Sequence, residues 1–260
     1  MVAISHGARA PEFCTQDGHA YRFDWGIEGL EALAPSSAVV VVVDVLRFTT
    51  AVCCALESGG TVLPYPWSDD GVGEFAARHD AVVAGHREDG APSLSPTDLL
   101  VMPPMRLVLP SPNGSALSVT ARALGARHVL AASLRNATAV ARAARQLAAN
   151  EAITIIAAGE RWGDATGPLR PAVEDMIGAG AVLAALDPSN ARSQPRSSPE
   201  ASAARAVFLS ARPLLFDALL SSASGRELAA RGWDDDVATA AAYDVTDVIP
   251  ILDGSEYRPL

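Results

Sequence analysis

Five consecutive valines, Val39–Val43, followed at once by Asp44, constrain the fold of this chain more than any other feature. Valine is β-branched and stiff at χ1, which suits a pleated strand, and a run with no polar residue has no face to offer to water. Such a strand is buried on both sides, as in the interior of a parallel or mixed sheet covered by helices. The pattern then repeats. Apolar runs expected as strands fall at 21–25, 61–65, 81–84, 106–109, 127–132, 153–157 and 245–251. Helical segments are expected at 27–33, 45–58, 70–79, 116–124, 136–149, 172–186, 202–220, 225–231 and 234–241, and residues 87–104 read mostly as loop. Strands separated by helices predict βαβ units and a three-layer α/β/α architecture with a mainly parallel or mixed sheet. The rhythm leaves room for two similar joined lobes.

A chain of 260 residues buries a sizeable core. Residues 1–19 read as a loose N-terminal arm and 20–260 as a single α/β domain. The stretch 187–199 (DPSNARSQPRSSP) changes composition sharply and predicts a flexible, solvent-exposed loop. Neither a signal peptide nor a membrane helix is expected: Met1–Ala10 has no apolar core, and the valine run is far short of the ~18 residues a span needs. A cytoplasmic address is the resulting expectation. Cys14, Cys53 and Cys54 form no disulfide framework.

Charge narrows the function classes. The formal net charge is −10 and all twenty basic residues are arginine. Without lysine there is no Walker-type phosphate loop and no Schiff-base chemistry. The acidic balance argues against nucleic acid as a partner, because counterion release needs a basic face. A small anionic ligand would be held by local arginines or by a metal, against the overall field.

Open α/β sheets bind ligands beyond the carboxyl ends of their strands. Three such places carry chemistry here. In Asp44-Val-Leu-Arg47-Phe-Thr49-Thr50, a carboxylate ends the most buried strand and an arginine follows where a helix opens. The carboxylate suits a divalent cation, a base or a nucleophile, and Arg47 suits an oxyanion. The competing reading is a helix cap with Arg47 neutralising Asp44. Ser111-Pro-Asn113-Gly114-Ser115 follows the next clear strand and again offers a helix N-terminus to an anion, or else is a tight turn. Glu160-Arg161, with Glu174-Asp175 downstream, supplies hard oxygen ligands suited to Mg²⁺, or local ion pairs of Glu160 with Arg170 and Arg161 with Glu174. His86, at another strand end, is a weaker candidate. Asp44 has no second aspartate two residues on, and no arginine closes a cysteine-phosphatase loop after Cys54.

These segments, in this order, resemble the 2-phosphosulfolactate phosphatase family of coenzyme M biosynthesis. The resemblance runs over 39–250 and includes Asn136 after Ala132-Ser-Leu-Arg, Gly178-Ala-Gly180 and Asp234-Asp-Asp236-Val-Ala. It implies a Mg²⁺-dependent hydrolase that converts 2-phosphosulfolactate to 3-sulfolactate and phosphate on an α/β/α fold. The chain departs from the expected pattern at His86, where a glutamate is expected, at Leu94, where an asparagine is, and at Ser111-Pro112, where two threonines are. The combined expectation assigns Mg²⁺ to Asp44, Glu160 and Glu174 or Asp175, and the phosphate and other acidic groups to Arg47 and Arg161. Thr49, Thr50, Ser111, Asn113, Gly114, Ser115 and Asn136 are expected to bind substrate. Attack by water and an aspartyl-phosphate on Asp44 remain rival routes. Other functional classes stay open: an anion-binding or regulatory protein without catalysis, a phosphatase for a related phosphoester, or a transferase. A homodimer suits the size, although no local motif establishes it.

Overall fold

The computed structural model of the protein describes residues 11–67, 69–163, 167–188 and 196–260. In chain order the elements are β1 (Tyr21–Trp25), α1 (Gly26–Leu33), β2 (Val39–Val43), α2 (Phe48–Glu57), β3 (Thr61–Tyr65), α3 (Gly71–Arg78) and β4 (Val82–Val83). Then come α4 (Pro96–Val101), β5 (Arg106–Pro110), α5 (Gly114–Ala123), β6 (His128–Ala132), α6 (Ala137–Ala148), β7 (Ile153–Ala157), β8 (Glu160–Arg161) and β9 (Leu169–Arg170). The last third holds α7 (Val173–Leu186), α8 (Pro199–Ala211), α9 (Leu215–Ser221), α10 (Ala223–Ala230), α11 (Asp234–Ala241), β10 (Pro250–Asp253) and β11 (Glu256–Pro259).

The valine run behaves as its composition dictates. All five side chains are buried, and because strand residues alternate they face two different cores. Val39, Val41 and Val43 join α6, α7 and α8 in one apolar cluster. Val40 and Val42 join α1, α2 and α5 in the other. Full burial of each valine contributes about 1.5–3 kcal/mol. Three layers follow directly.

Among the described residues the main sheet has nine strands in the order β1-β7-β2-β6-β10-β11-β3-β5-β4. β1, β7, β2 and β6 pair in parallel, as do β3, β5 and β4. The two parallel blocks do not touch. The C-terminal hairpin β10–β11 is inserted between them, antiparallel to β6 on one side and to β3 on the other. This is one continuous sheet rather than two lobes with separate sheets, and the pairing makes the blocks run in opposite senses. Adjacent strands rotate by about 20–25°, so the five steps from β2 to β5 turn one block by roughly 100–125°. That curl brings the carboxyl ends of β2 and β5 to one place despite their opposite senses.

Several expectations are corrected. The strand expected at 245–251 begins only at Pro250, and its partner β11 is additional. Residues 96–101 within the expected loop are helical, because Ser95 caps α4 by accepting from Asp98 N and Pro96 sits at its first turn. The expected helix at 202–220 is two helices, α8 and α9, interrupted near Pro213. Of the expected arm and loop, 1–10 and 189–195 lie outside the described residues. Ser197 and Ser198 are buried rather than exposed: Ser197 bridges to Tyr21, and Ser198 caps α8. No single helix among the described residues is long and apolar enough to cross a membrane.

Candidate active site

Asp44 ends β2 and lies at the meeting point of two helix starts. Its Oδ1 accepts from Phe48 N at 3.2 Å, at the start of α2, and its Oδ2 accepts from Gly114 N at 2.9 Å, at the start of α5. Helix N-termini carry unpaired N–H groups and the positive end of the helix dipole, so both stabilise the anion. The approach of α5 is possible only because residue 114 is glycine: a Cβ there would run into the Phe48 ring and stand 2.7 Å from Asp44 Oδ2. Thr49 and Thr50 fasten the β2–α2 turn from within. Thr49 Oγ1 donates to Asp44 O at 2.8 Å and Thr50 Oγ1 to Val45 O at 2.7 Å.

A third helix start completes the cluster. Gly178 lets α7 lie close on β2, since a Cβ there would stand 2.5 Å from Val45 Cγ2. The first turn of α7 then presents Glu174 and Asp175, both buried. The two neighbours differ. Asp175 is saturated by backbone: its Oδ1 accepts from Val45 N at 2.7 Å and its Oδ2 from Gly159 N at 2.9 Å. Glu174 Oε2 is buried with no hydrogen-bond partner among the described residues. Glu160, on β8, faces the same region, and its Oε2 accepts from Asn113 Nδ2 at 3.1 Å.

Four carboxylates thus gather with few countercharges, and their titration reflects it. Burial, reinforced by Glu160 and Glu174, pushes Asp44 up to about 7 even though the Phe48 and Gly114 N–H groups oppose the shift. Burial raises Glu160 against the pull of Asn113, the Arg161 N–H and the Arg170 charge. Burial, followed by the charges of Asp44 and Glu174, raises Asp175 well above the usual range.

The cluster opens into a cavity of about 310 Å³, whose charged lining is Asp44, Arg47, Glu160 and Glu227. Ser111 and Asn113 enter it from the loop after β5, Leu94 from the segment before α4, and Ser224 and Leu228 from α10. Arg47 is held on the far side of its own chemistry: Nη1 meets Asp236 Oδ2 at 2.9 Å, and the guanidinium lies 5.0 Å from the centre of the Trp233 ring. The remaining Arg47 donors take no other described protein partner. The Leu46–Arg47 peptide is cis. A separate apolar groove of about 230 Å³, lined by Tyr65, Trp67, Phe75 and Val119, has Arg122 as its charged member and none of the candidate residues.

The sequence reading placed Asp44, Arg47, Ser111, Asn113 and Glu160 at one site, and all five line this cavity. Gly114, Glu174 and Asp175 stand directly behind it. Ser115 and Asn136 are fully buried instead. Ser115 Oγ donates to Leu109 O, while Asn136 accepts from Ser133 N and donates to Val248 O. Both are taken up by the backbone, as are the Thr49 and Thr50 hydroxyls. Arg161 is not brought to the cavity: β8 pairs Glu160 with Arg170, alternation turns Arg161 to the other face, and its Nη1 donates to Gly167 O. His86 is exposed and outside the lining. The residues sequence reading did not assign to the site are Asp236 and Trp233, which hold Arg47, and Arg87 and Ser95, which adjoin Asp236. Three consecutive aspartates opening a helix were the available signal, and capping accounts for such a run equally well.

Oxygen donors of the type shown by Asp44, Glu160 and the unpartnered Glu174 suit a hard divalent cation. Among the described residues no three His, Cys, Asp or Glu side chains are gathered closely enough to cage an ion unaided.

Fold and cavity together define an α/β/α protein with a small-molecule site at its strand ends, acidic at one pole and arginine-bearing at the other. The chain belongs to the 2-phosphosulpholactate phosphatase family, whose model matches residues 28–255. It is 33% identical over 223 residues to a probable 2-phosphosulfolactate phosphatase of Thermus thermophilus, covering 83% of this chain and 88% of that protein. It is 27% identical over 219 residues to the 2-phosphosulfolactate phosphatase of Methanothermobacter thermautotrophicus, covering 83% of this chain and 87% of that protein.

Proposed function

We propose that this protein is a Mg²⁺-dependent phosphatase that hydrolyses 2-phosphosulfolactate to 3-sulfolactate and phosphate. Family membership supports the substrate, and one observation carries the metal: a buried carboxylate oxygen, Glu174 Oε2, without a partner beside the buried Asp44. Uncompensated buried charge is expensive, and a cation held beside Asp44, Glu160 and Glu174, in part through waters, would remove the cost. Mg²⁺ keeps several waters and takes one or two carboxylates together with phosphate oxygens, so it does not require a complete protein cage. When bound, the ion supplies Lewis-acid polarisation of the phosphoryl group.

The chain's own groups do the rest. Arg47 offers its free donors to the phosphoryl oxygens or to the substrate's other acidic groups, in the bidentate fashion guanidinium favours. The Ser111 hydroxyl and the Asn113 amide border the same space, and Asn113 also holds Glu160 in place. Leu94, Leu46 and Leu228 reduce access of bulk water, which strengthens each electrostatic contact. Hydrolysis breaks the bond from phosphorus to the ester oxygen; the attacking water loses a proton and the departing hydroxyl of sulfolactate gains one. Both Asp44 oxygens already accept N–H bonds, which favours attack by water over an aspartyl-phosphate. Stereochemistry at phosphorus tests this: hydrolysis of a chiral [¹⁶O,¹⁸O]phosphorothioate analogue in ¹⁷O-water is expected to invert phosphorus, and net retention contradicts direct attack. The reading as a whole is tested by phosphate release from 2-phosphosulfolactate and a small phosphoester panel, with and without Mg²⁺. No release from any member with Mg²⁺ present ends it.

A further inference from the structure

Asp236 is fully buried in the first turn of α11 and is the most heavily engaged carboxylate near the cavity. Its Oδ2 pairs with Arg47 Nη1 at 2.9 Å and faces Arg87 Nη1 at 3.6 Å. Its Oδ1 accepts from Ser95 Oγ and from Thr97 N. Four donors thus come from three segments distant in sequence: the start of α2, the segment 87–89 and the start of α4. Arg87 is fixed in turn by Asp98 and Asp235. Trp233, three residues before Asp236, lies under Arg47 at 5.0 Å and also meets Arg87 and Arg231.

Arg47 stands three residues after Asp44, beside a cluster of under-neutralised carboxylates, yet its ion pair is with Asp236. A long, mobile guanidinium in that position would be drawn onto Asp44, Glu160 or Glu174, since opposite charges attract strongly in a partly desolvated cavity. Such a collapse would neutralise the cation pole and remove the anion receptor in one movement. We infer that Asp236 is a positioning residue that, with Trp233, clasps Arg47 away from the acidic cluster and so keeps a cation-binding pole and an anion-binding pole separate within one cavity. The separation rests on the reading of the cavity under the proposed function; the clasp does not.

Two measurements on Asp236→Asn separate these parts. Asparagine keeps an acceptor for Ser95 and Thr97, so the fold is retained while the charge on Arg47 is released. Guanidinium NMR reads Arg47 directly: cross-peaks from its Nε–H to the Trp233 ring are expected in the parent and lost in Asp236→Asn. Their persistence in the variant overturns the clasp, whether or not any metal binds. Titration with Mn²⁺ reads the cation pole without substrate. Asp236→Asn is expected to weaken Mn²⁺ binding roughly tenfold or more, and Asp236→Asn combined with Arg47→Ala to restore it. A purely structural role of Asp236 leaves the double variant as weak as the single one, and that result overturns the separation of poles. A parent that binds no Mn²⁺ ends the cation reading and the separation with it, while the NMR comparison still decides the clasp.

Discussion

The two charged clusters on either side of the cavity are built from the same materials and end in opposite states. Around Asp236, one buried carboxylate accepts from a guanidinium, a hydroxyl and a backbone N–H and faces a second guanidinium, so both of its oxygens are partnered. Around Asp44, four carboxylates are met by backbone N–H groups, two of them at helix starts, and by a single asparagine amide, and one buried oxygen of Glu174 has no partner among the described residues. Saturation marks the cluster that holds shape. Deficit marks the cluster proposed above to take a cation. Adjacent residues in one helix turn make the same point, for Asp175 is occupied by backbone while Glu174 is not.

The comparison is most exposed to Asp44→Asn. Removing the charge at the centre of the deficit is expected to cut phosphate release from 2-phosphosulfolactate roughly a thousandfold. The same variant, free of metal at pH 8, is expected to unfold at a higher temperature than the parent. A loss of both activity and metal-free stability would place Asp44 with the saturated cluster. Next in size, Arg47→Ala should raise KM on the order of a hundredfold, the scale of a lost charge-assisted contact, with a smaller change in kcat. Steady-state kinetics decide it, and an unchanged KM removes Arg47 from substrate binding.

Gly114→Ala tests the close approach that feeds the deficit. A Cβ pressed on Phe48 and Asp44 should destabilise the fold by about 1–3 kcal/mol in denaturant titration. A neutral result means α5 can retreat and the N–H contact to Asp44 is dispensable.

The pH dependence sharpens the contrast without mutation. The folded Asp44 is raised from 3.8 to about 7, so between those values the folded state binds more protons than the unfolded one. Stability of the metal-free protein therefore falls as pH rises through this window, and the loss is complete above about 7. Mg²⁺ is expected to abolish the fall, which thermal unfolding at pH 5 and pH 8 with and without the ion measures. The smallest effect is expected behind the Asp44 cluster, where Tyr257 of the inserted hairpin packs on Phe48 and meets Ser118 of α5. Tyr257→Phe keeps the ring, removes one hydrogen bond and should cost about 1 kcal/mol, with kcat and KM close to the parent's.

How far these features were legible in the chain varies by residue. Val39–Val43 declared a doubly buried strand, because burial on both faces needs apolar residues at every position. Asp44, Ser111, Asn113 and Glu160 were legible as strand-end polar residues, because local alternation locates strand ends. The β10–β11 hairpin was missed, although Gly254-Ser255, between Asp253 and Glu256, is a two-residue turn signal that the strand expected at 245–251 left unused. Its insertion between two parallel blocks was not, since nothing local in Pro250–Pro259 names β6 and β3 as neighbours. The Glu160–Arg170 proximity was legible as an ion-pair reading, whereas the turning of Arg161 away from the cavity depends on the β8–β9 register, which the chain does not spell out.

The sequence by itself determined the layered α/β/α architecture, the acidic balance carried against arginine alone, and the strand-end residues that border the cavity. These follow from periodicity and composition, which act over a few residues. Only the tertiary structure decided which carboxylates are answered and which are left without a partner among the described residues. That state depends on partners such as Arg47 and Asp236, 189 residues apart, meeting through a curled sheet whose order the chain does not spell out. Electrostatic satisfaction is a property of neighbours in space, and a sequence specifies those only through the fold.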